Sequence, residues 1–176
     1  MRYIRLSVLA ILLTLLGACS HKFDSNVLDL AFYQWNLWAD PDASAENMDP
    51  SCGWDEMHRG KGKLVRIPAL AREHFSAVSD GEVYWYHCRF TLPENFEERE
   101  VTFHFEGVGP VTAVYLNQGL VGSHQGETGE WQIDVSDVIY YTRDNHLAIR
   151  ISVPDASLSQ EAGIGKGVQV RSKITP

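Results

Sequence analysis

The sequence has no apolar run of the roughly 20 residues that crossing a bilayer takes. Its longest such run, residues 6–16, is shorter and is interrupted by Ser7 and Thr14. Basic residues are also few, with 15 Lys and Arg against 23 Asp and Glu and a formal net charge of −8. An acidic surface repels the phosphates of nucleic acids. We therefore expect a protein that neither crosses a membrane nor binds nucleic acid.

The short apolar run has the flanks of an export signal. Arg2 and Arg5 precede it, and the small residues Gly17 and Ala18 lead from it to Cys19. This order of charged head, apolar centre and small-residue cleavage site is typical of a secretory signal peptide. An ordinary signal peptide with a chance cysteine, or a buried N-terminal helix, is the alternative to a lipid-anchored protein.

Cys19 resembles the lipobox cysteine of bacterial lipoproteins, whose thiol and amine carry acyl chains that together anchor stably. The resemblance implies a signal peptide over 1–18 and a lipidated cysteine with a tether over 19–29. The exported chain keeps 13 basic and 23 acidic residues, a charge of −10. Ser20 after the cysteine resembles the outer-membrane sorting pattern. We expect a lipid-anchored protein of the cell envelope, on the periplasmic or surface face of the outer membrane.

Cysteine is scarce, with three residues in the chain. If lipid occupies Cys19, Cys52 and Cys88 form an even pair in an oxidising compartment, which favours a disulfide. That bridge would close a loop of about 36 residues and contribute around 3 to 4 kcal/mol in the chain-entropy model. Two unpaired thiols are the alternative.

Alternating apolar and polar residues dominate the chain between 82 and 153. In 84–90, Tyr84, Tyr86, Cys88 and Phe90 point one way, and Trp85, His87 and Arg89 the other. The same period of two recurs in 101–106 and 147–152, with turn formers every 8 to 12 positions. This pattern predicts an all-β, antiparallel β-sandwich over 30–176. Residues 39–62 are expected to form a long loop, and only 134–141 a helical turn.

Several segments in order carry a family resemblance. They are 84–86 (YWY), 90–93 (FTLP), 101–108 (VTFHFEGV), 113–117 (AVYLN), 121–126 (VGSHQG), 131–135 (WQIDV) and 145–151 (NHLAIRI), with Trp54 and 65–68 (VRIP) upstream and 163–164 and 168–170 downstream. Together they resemble the sugar-binding domain of glycoside hydrolase family 2. The resemblance implies a jelly roll of the galactose-binding-like kind and a carbohydrate partner.

The resemblance does not extend to catalysis. The family's catalytic glutamates lie on a separate (β/α)8 barrel, and this sequence stops at Pro176. The loop aspartate that some β-galactosidases bring to the sugar corresponds here to Gly126. Glu127 and Glu130 share one loop and could reach the spacing of a glycosidase pair, but a solvated acidic loop explains them better. We expect no catalytic residues.

Other catalytic and metal motifs are missing. No Gly-x-Ser-x-Gly elbow and no His-x-x-x-His spacing occurs, so neither a hydrolase elbow nor a zinc site is expected. His87 and His104 fall on outward strand faces and are interpreted as surface residues. Asp40-x-Asp42-x-Ser44 begins like a calcium loop but lacks its glycine and its bidentate glutamate. That excludes an EF-hand and leaves open a calcium ion of the kind that jelly rolls hold.

Two loops offer the aromatic and polar groups that sugar recognition needs. One loop carries Trp54, Asp55, His58 and Arg59, and the other carries His124, Gln125, Glu127 and Trp131. The alternative is that Trp54 and Trp131 are core plugs at the end of the sandwich.

The sequence thus favours a membrane-anchored, non-catalytic carbohydrate-binding lipoprotein. A scaffold that contacts another envelope protein is the second hypothesis, and a glycosidase is the third.

Overall fold

In the computed structural model, the described residues (26–44, 47–79, 81–96, 100–126 and 128–173) form eleven strands and one short α-helix. The strands are β1 Asn26–Asp29, β2 Trp35–Ala39, β3 Lys63–Val65, β4 Ala69–Leu70, β5 Val83–Phe90, β6 Glu100–Gly109, β7 Val111–Leu116, β8 Gly119–Gln125, β9 Glu130–Asp134, β10 Asn145–Ser152 and β11 Gly163–Lys173. The helix α1 is Trp54–His58, and 3-10 turns span Leu30–Phe32, Ala71–Glu73, Glu94–Phe96 and Ala156–Glu161. No described helix is long and apolar enough to cross a membrane.

The strands pair into two antiparallel sheets, which confirms the predicted antiparallel β-sandwich. One sheet has the order β1-β11-β6-β9, with β4 also paired to β11, and the other has the order β3-β2-β5-β10-β7-β8. The main core lies between the two sheets. It is formed by the inward-pointing residues of the alternating strands, as predicted. Those residues include Tyr84, Tyr86, Cys88 and Phe90 of β5, Phe103 and Phe105 of β6, and Ile149 of β10.

The sandwich begins before the residue that the sequence indicated. Asn26–Asp29, inside the segment predicted as a tether, form β1 and pair with 169–172 of β11. Residues 1–25, which include the predicted signal peptide and Cys19, lie outside the described residues.

The hairpin between β7 and β8 turns at Asn117 and Gln118, whose φ angles are 53° and 77°. Asparagine tolerates this left-handed region well, whereas Gly119 lies outside it. The buried Asn145 supports the turn, since its side chain accepts a hydrogen bond from Asn117 and donates one to Tyr140 O. Asp134 caps the turn at 136–138 by accepting from the Ser136 N–H.

The structure does not contain the predicted Cys52–Cys88 disulfide: both cysteines have free thiols. Cys88 points from β5 into the main core, whereas Cys52 packs at the border of a second apolar cluster on the opposite face of the same sheet. The sheet therefore stands between the two thiols. Burial raises the pKa of both, that of Cys88 to about 12, which keeps the Cys88 thiol protonated.

Candidate functional site

A short helix covers the outer face of the six-stranded sheet, inside the segment 39–62 that the sequence indicated as a loop. It begins after Gly53, whose φ is +80°, and carries Asp55 and Glu56 in its first turn, where acidic groups suit the helix dipole. Its Met57 is fully buried. Met57 joins a second cluster formed by residues that point outward from the sheet: Val83, Trp85, Ala113, Tyr115 and Ala148.

Asp40 ties this covering segment to the sheet. The carboxylate is 4% exposed, and the Trp85 indole N–H and the Ser51 backbone N–H donate to it over 3.1 and 3.0 Å. The Ser51 hydroxyl and the Asp42 N–H donate to its other oxygen. A buried carboxylate needs such donors to offset its desolvation. Protein donors thus engage both oxygens, and Asp40 anchors the loop to the sheet. The Asp40 side chain is used for this contact and does not indicate a calcium loop.

Three histidines meet at the C-terminal end of the helix. His58 comes from the end of α1, and His87 and His146 come from the neighbouring strands β5 and β10. His87 Nε2 lies 3.0 Å from His146 Nδ1, and the His58 and His146 rings stack with centroids 4.0 Å apart. The interpretation of His87 as a surface residue was therefore wrong. It points outward from its strand as predicted, but it is only 3% exposed because α1 covers it.

The surroundings of these histidines favour neutral rings. Burial, then the neighbouring His146 and His58, lowers the pKa of His87 to about 3. Burial also lowers the pKa of His58 and of His146, and a nearby imidazole or arginine adds to the effect. Near neutral pH the cluster therefore presents uncharged imidazoles, which have a lone pair on one nitrogen.

An open cleft of about 830 Å³ runs beside the helix. Its polar lining comes from Gln34, Asn36, Arg59 and Arg89, together with the His58 and His87 rings and the aromatic Tyr33. Amides, guanidinium groups and imidazoles can all bond to hydroxyls, and guanidinium groups bind carboxylates strongly. The cleft can therefore accept a small polar ligand.

Close packing fixes one wall of the cleft. The Asn36 amide donates to Gly60 O over 3.0 Å. A Cβ at Gly62 would clash with Leu37 O, and the φ angle of Gly62 is +103°. Only glycine allows the backbone to approach strand β2 this closely. The chain from Gly60 to Gly62 is thus held against β2.

The predicted aromatic residues serve mainly as packing groups. Trp54 is partly buried, with its ring centroid 5.8 Å from that of Trp85 and 5.2 Å from that of Tyr115. Trp131 lies between Phe105 and His124, with centroid distances of 4.1 and 4.9 Å and nearly parallel rings. These contacts favour the alternative reading of both tryptophans as plugs.

The two predicted groups do not form one site. Trp54 and His58 lie over the outer face of the six-stranded sheet, whereas Trp131 packs against the core between the sheets. Asp55, Arg59 and Gln125 are exposed, and Glu127 lies outside the described residues. Of the sequence-predicted set, His58 and Arg59 line the cleft.

Sequence reasoning considered Asp40 only for a calcium loop and His87 only as a surface residue. It missed His146 and the cleft residues Gln34 and Asn36. They are far apart along the chain, and no local motif joins them. The one available signal was that Trp85 and His87 share a strand face, because a tryptophan among outward residues indicates that something covers that face.

Comparisons with known proteins agree with the architecture. Residues 66–170 match the family model described as glycosyl hydrolase 2 galactose-binding domain-like. The chain is also 34% identical over 70 residues to a β-galactosidase of Thermoanaerobacter pseudethanolicus, an alignment that covers 39% of this chain and 9% of that enzyme.

Solved structures share the fold. A β-glucuronidase of Faecalibacterium prausnitzii has a TM-score of 0.65 at 15% identity, over 86% of this chain and 32% of that one. A β-D-glucuronidase of Dictyoglomus thermophilum has a TM-score of 0.65 at 16% identity, over 86% of this chain and 28% of that one. The chain thus spans less than a third of each of these enzymes, and a tenth or less of the β-galactosidase.

Proposed function

Since the chain belongs to the galactose-binding-like domain family of glycosyl hydrolase 2, we propose that it is a non-catalytic carbohydrate-binding domain. We place its site in the cleft beside α1. The observation that carries this placement is the convergence of hydroxyl-binding side chains on an open cleft, with Tyr33 on its wall. Ligand pockets combine an apolar or aromatic surface with a few directed polar groups, and this cleft offers both.

The charges in the cleft favour a sugar with a carboxylate. Arg59 and Arg89 both line it, although the chain as a whole is acidic. Their carboxylate partners in the protein, Glu56 and Asp144, are each 3.6 Å away and partly exposed, so a ligand carboxylate can compete for the guanidinium groups. Glucuronides and galactosides, which the names of the similar enzymes mention, are the first sugars to try.

A glycan array with the purified full chain tests binding. We expect Arg59→Gln and Gln34→Ala to weaken the strongest glycan signal at least tenfold. Gln132→Ala is the matched control, because Gln132 is exposed on the other sheet and lies outside the cleft. Loss of binding in the control alone would move the site to the five-stranded sheet. No glycan signal, with an envelope protein co-purifying instead, would favour the scaffold hypothesis.

We also propose that Cys19 carries lipid and holds the domain on a membrane. The support is the order of charge, apolar run and small residues before Cys19. Cells grown with radioactive fatty acid should label the wild type and leave Cys19→Ala unlabelled. Equal label in both would refute the anchor. Ser20 leads us to expect the labelled protein in the outer-membrane fraction, and recovery only from the inner membrane would contradict that.

The non-catalytic part of the proposal has its own test. Glu130 is exposed on β9, next to the packed Trp131. Chromogenic β-galactosides, β-glucuronides and β-mannosides should show no turnover above background with this chain. Turnover that disappears in Glu130→Gln or Glu127→Gln would show instead that this carboxylate pair is catalytic.

A further inference from the structure

The histidine cluster has the composition of a metal site. His58, His87 and His146 each offer one ring nitrogen, and these three atoms all lie within 4.8 Å of one another. They come from three different elements, so the fold and not a local motif brings them together. Zinc bound at about 2.0–2.1 Å by tetrahedral nitrogens holds them about 3.3 Å apart. The 3.0 Å between His87 Nε2 and His146 Nδ1 is already close to that spacing.

We propose that His58, His87 and His146 form a binding site for a divalent transition-metal ion, with Zn²⁺ as the best match. Imidazole suits zinc and its neighbours in the first transition row, whereas calcium and magnesium prefer oxygen ligands. Three protein ligands leave one tetrahedral position open for water or a small ligand. Because His58 and His87 also line the cleft, we expect that position to face it.

An unpartnered nitrogen atom supports the assignment. In the described part of the protein, His58 Nε2 is buried without a hydrogen-bond partner. Such buried atoms are rare in proteins, and one common explanation is an ion or a water that completes the site. A metal on His58 Nε2 would supply the contact that this nitrogen lacks.

Two of the three ligands are held in place by the sheet. The backbone N–H of His146 donates to the Asn117 side-chain oxygen over 2.9 Å, and the buried Asn145 beside it is anchored to Tyr140. His87 lies within β5, which pairs with strands on both sides. His58 is the last residue of a five-residue helix. We therefore expect His87 and His146 to form a fixed pair. The His58 ring, now stacked on His146, would rotate to bring its nitrogen from within 4.8 Å of the others to the spacing of about 3.3 Å that zinc needs.

Calorimetric titration of the full chain, purified in detergent and stripped with a chelator, tests the site with Zn²⁺ as the probe. We expect one Zn²⁺ per chain, and at least a tenfold loss of affinity in His58→Gln and in His146→Gln. These side chains are half-buried, so they are safer to replace than His87. His104→Gln, on the other sheet, is the control and should keep the wild-type affinity.

A second readout follows the geometry. Titration with Co²⁺ should give the intense visible absorption of a four-coordinate site in the wild type and the control, and lose it in both cluster variants. No binding, or equal binding in all four proteins, would overturn the proposal and leave a hydrogen-bonded histidine stack. The metal site does not depend on the sugar proposal. Zn²⁺ binding is measured without glycan, so its result stands whatever the glycan array shows. Repeating the array with chelator present shows whether glycan binding needs the metal.

Discussion

The outer faces of the two sheets differ in burial, although the strands of both alternate inward and outward residues in the same way. On the five-stranded sheet, His104 and Glu106 of β6 are half-buried, and Glu130 and Gln132 of β9 are exposed. On the six-stranded sheet, Trp85 is fully buried and His87 is 3% exposed, because residues 40–44 and 47–62, which include the helix, lie over them. Alternation assigns a side chain to a face, but the rest of the chain decides whether that face meets water.

The largest expected effect compares one outward residue from each sheet. Trp85→Ala should lower the free energy of unfolding by about 3–5 kcal/mol, because it removes a fully buried ring from beneath the helix. Gln132→Ala should change it by no more than about 0.5 kcal/mol, because the side chain is exposed. Urea unfolding of both variants gives the comparison. A small loss for Trp85→Ala would mean that the helix does not cover this face in solution.

The second prediction concerns pH. The pKa of His87 is about 3 in the folded protein, against roughly 6.5 in an unfolded chain. Above pH 6.5 the ring is neutral in both states. Below it the unfolded state binds a proton that the folded state does not. Stability should therefore fall from pH 6.5 towards pH 3, by a few kcal/mol in total.

His87→Phe tests this slope, measured in chelator so that no metal contributes. The variant should lose stability less steeply between pH 6.5 and 3 than the wild type. His74→Gln, a histidine outside the cluster, should retain the wild-type slope. Identical slopes in all three proteins would contradict the burial of His87.

The third prediction concerns the anchor of the covering segment. Asp40→Ala should cost about 1–3 kcal/mol, because it leaves the Trp85 indole N–H buried without its acceptor. It should also speed proteolytic cleavage within 41–53, since Ser51 loses its attachment. Asp42→Ala is the control, because the Asp42 side chain is exposed. Equal cleavage rates in both variants would show that Asp40 does not hold the loop.

The smallest effect is one of rate. In the native protein Cys52 should react with a thiol reagent faster than the fully buried Cys88. Denatured protein that has not been reduced should yield both thiols. If neither Cys52 nor Cys88 reacts in the denatured, unreduced protein, the two form the disulfide that the sequence favoured.

Much of the fold could be predicted from the sequence because inward residues alternate with outward ones. The alternating inward residues of β5, β6 and β10, which end at Phe90, Phe105 and Ile151, do fill the core. The disulfide prediction failed because an even cysteine count says nothing about the sheet standing between Cys52 and Cys88. The helix at Trp54–His58 was missed because five residues give no helical period to read.

The site was harder to predict than the fold for the same physical reason. His58 was chosen for its loop, but His87 was set aside because an outward side chain on a strand is usually solvated. Only the docking of α1 places the two rings together, and docking depends on contacts between residues distant in sequence. Trp54 and Trp131 were considered as sugar platforms or as core plugs, and their packing against neighbouring rings favours the second interpretation.

If Cys19 carries lipid, the position of the first strand limits how far the domain can move from the membrane. Since β1 starts at Asn26, a lipid on Cys19 would be joined to the sheet by seven Cα–Cα steps, or about 25 Å of chain at full extension. A domain of this size has a radius of gyration of about 15 Å. A sphere with that radius of gyration is about 40 Å across. The tether would therefore be shorter than the diameter of the domain, which could tilt and turn but not leave the membrane surface. Any glycan it captured would have to come within a few nanometres of the lipid.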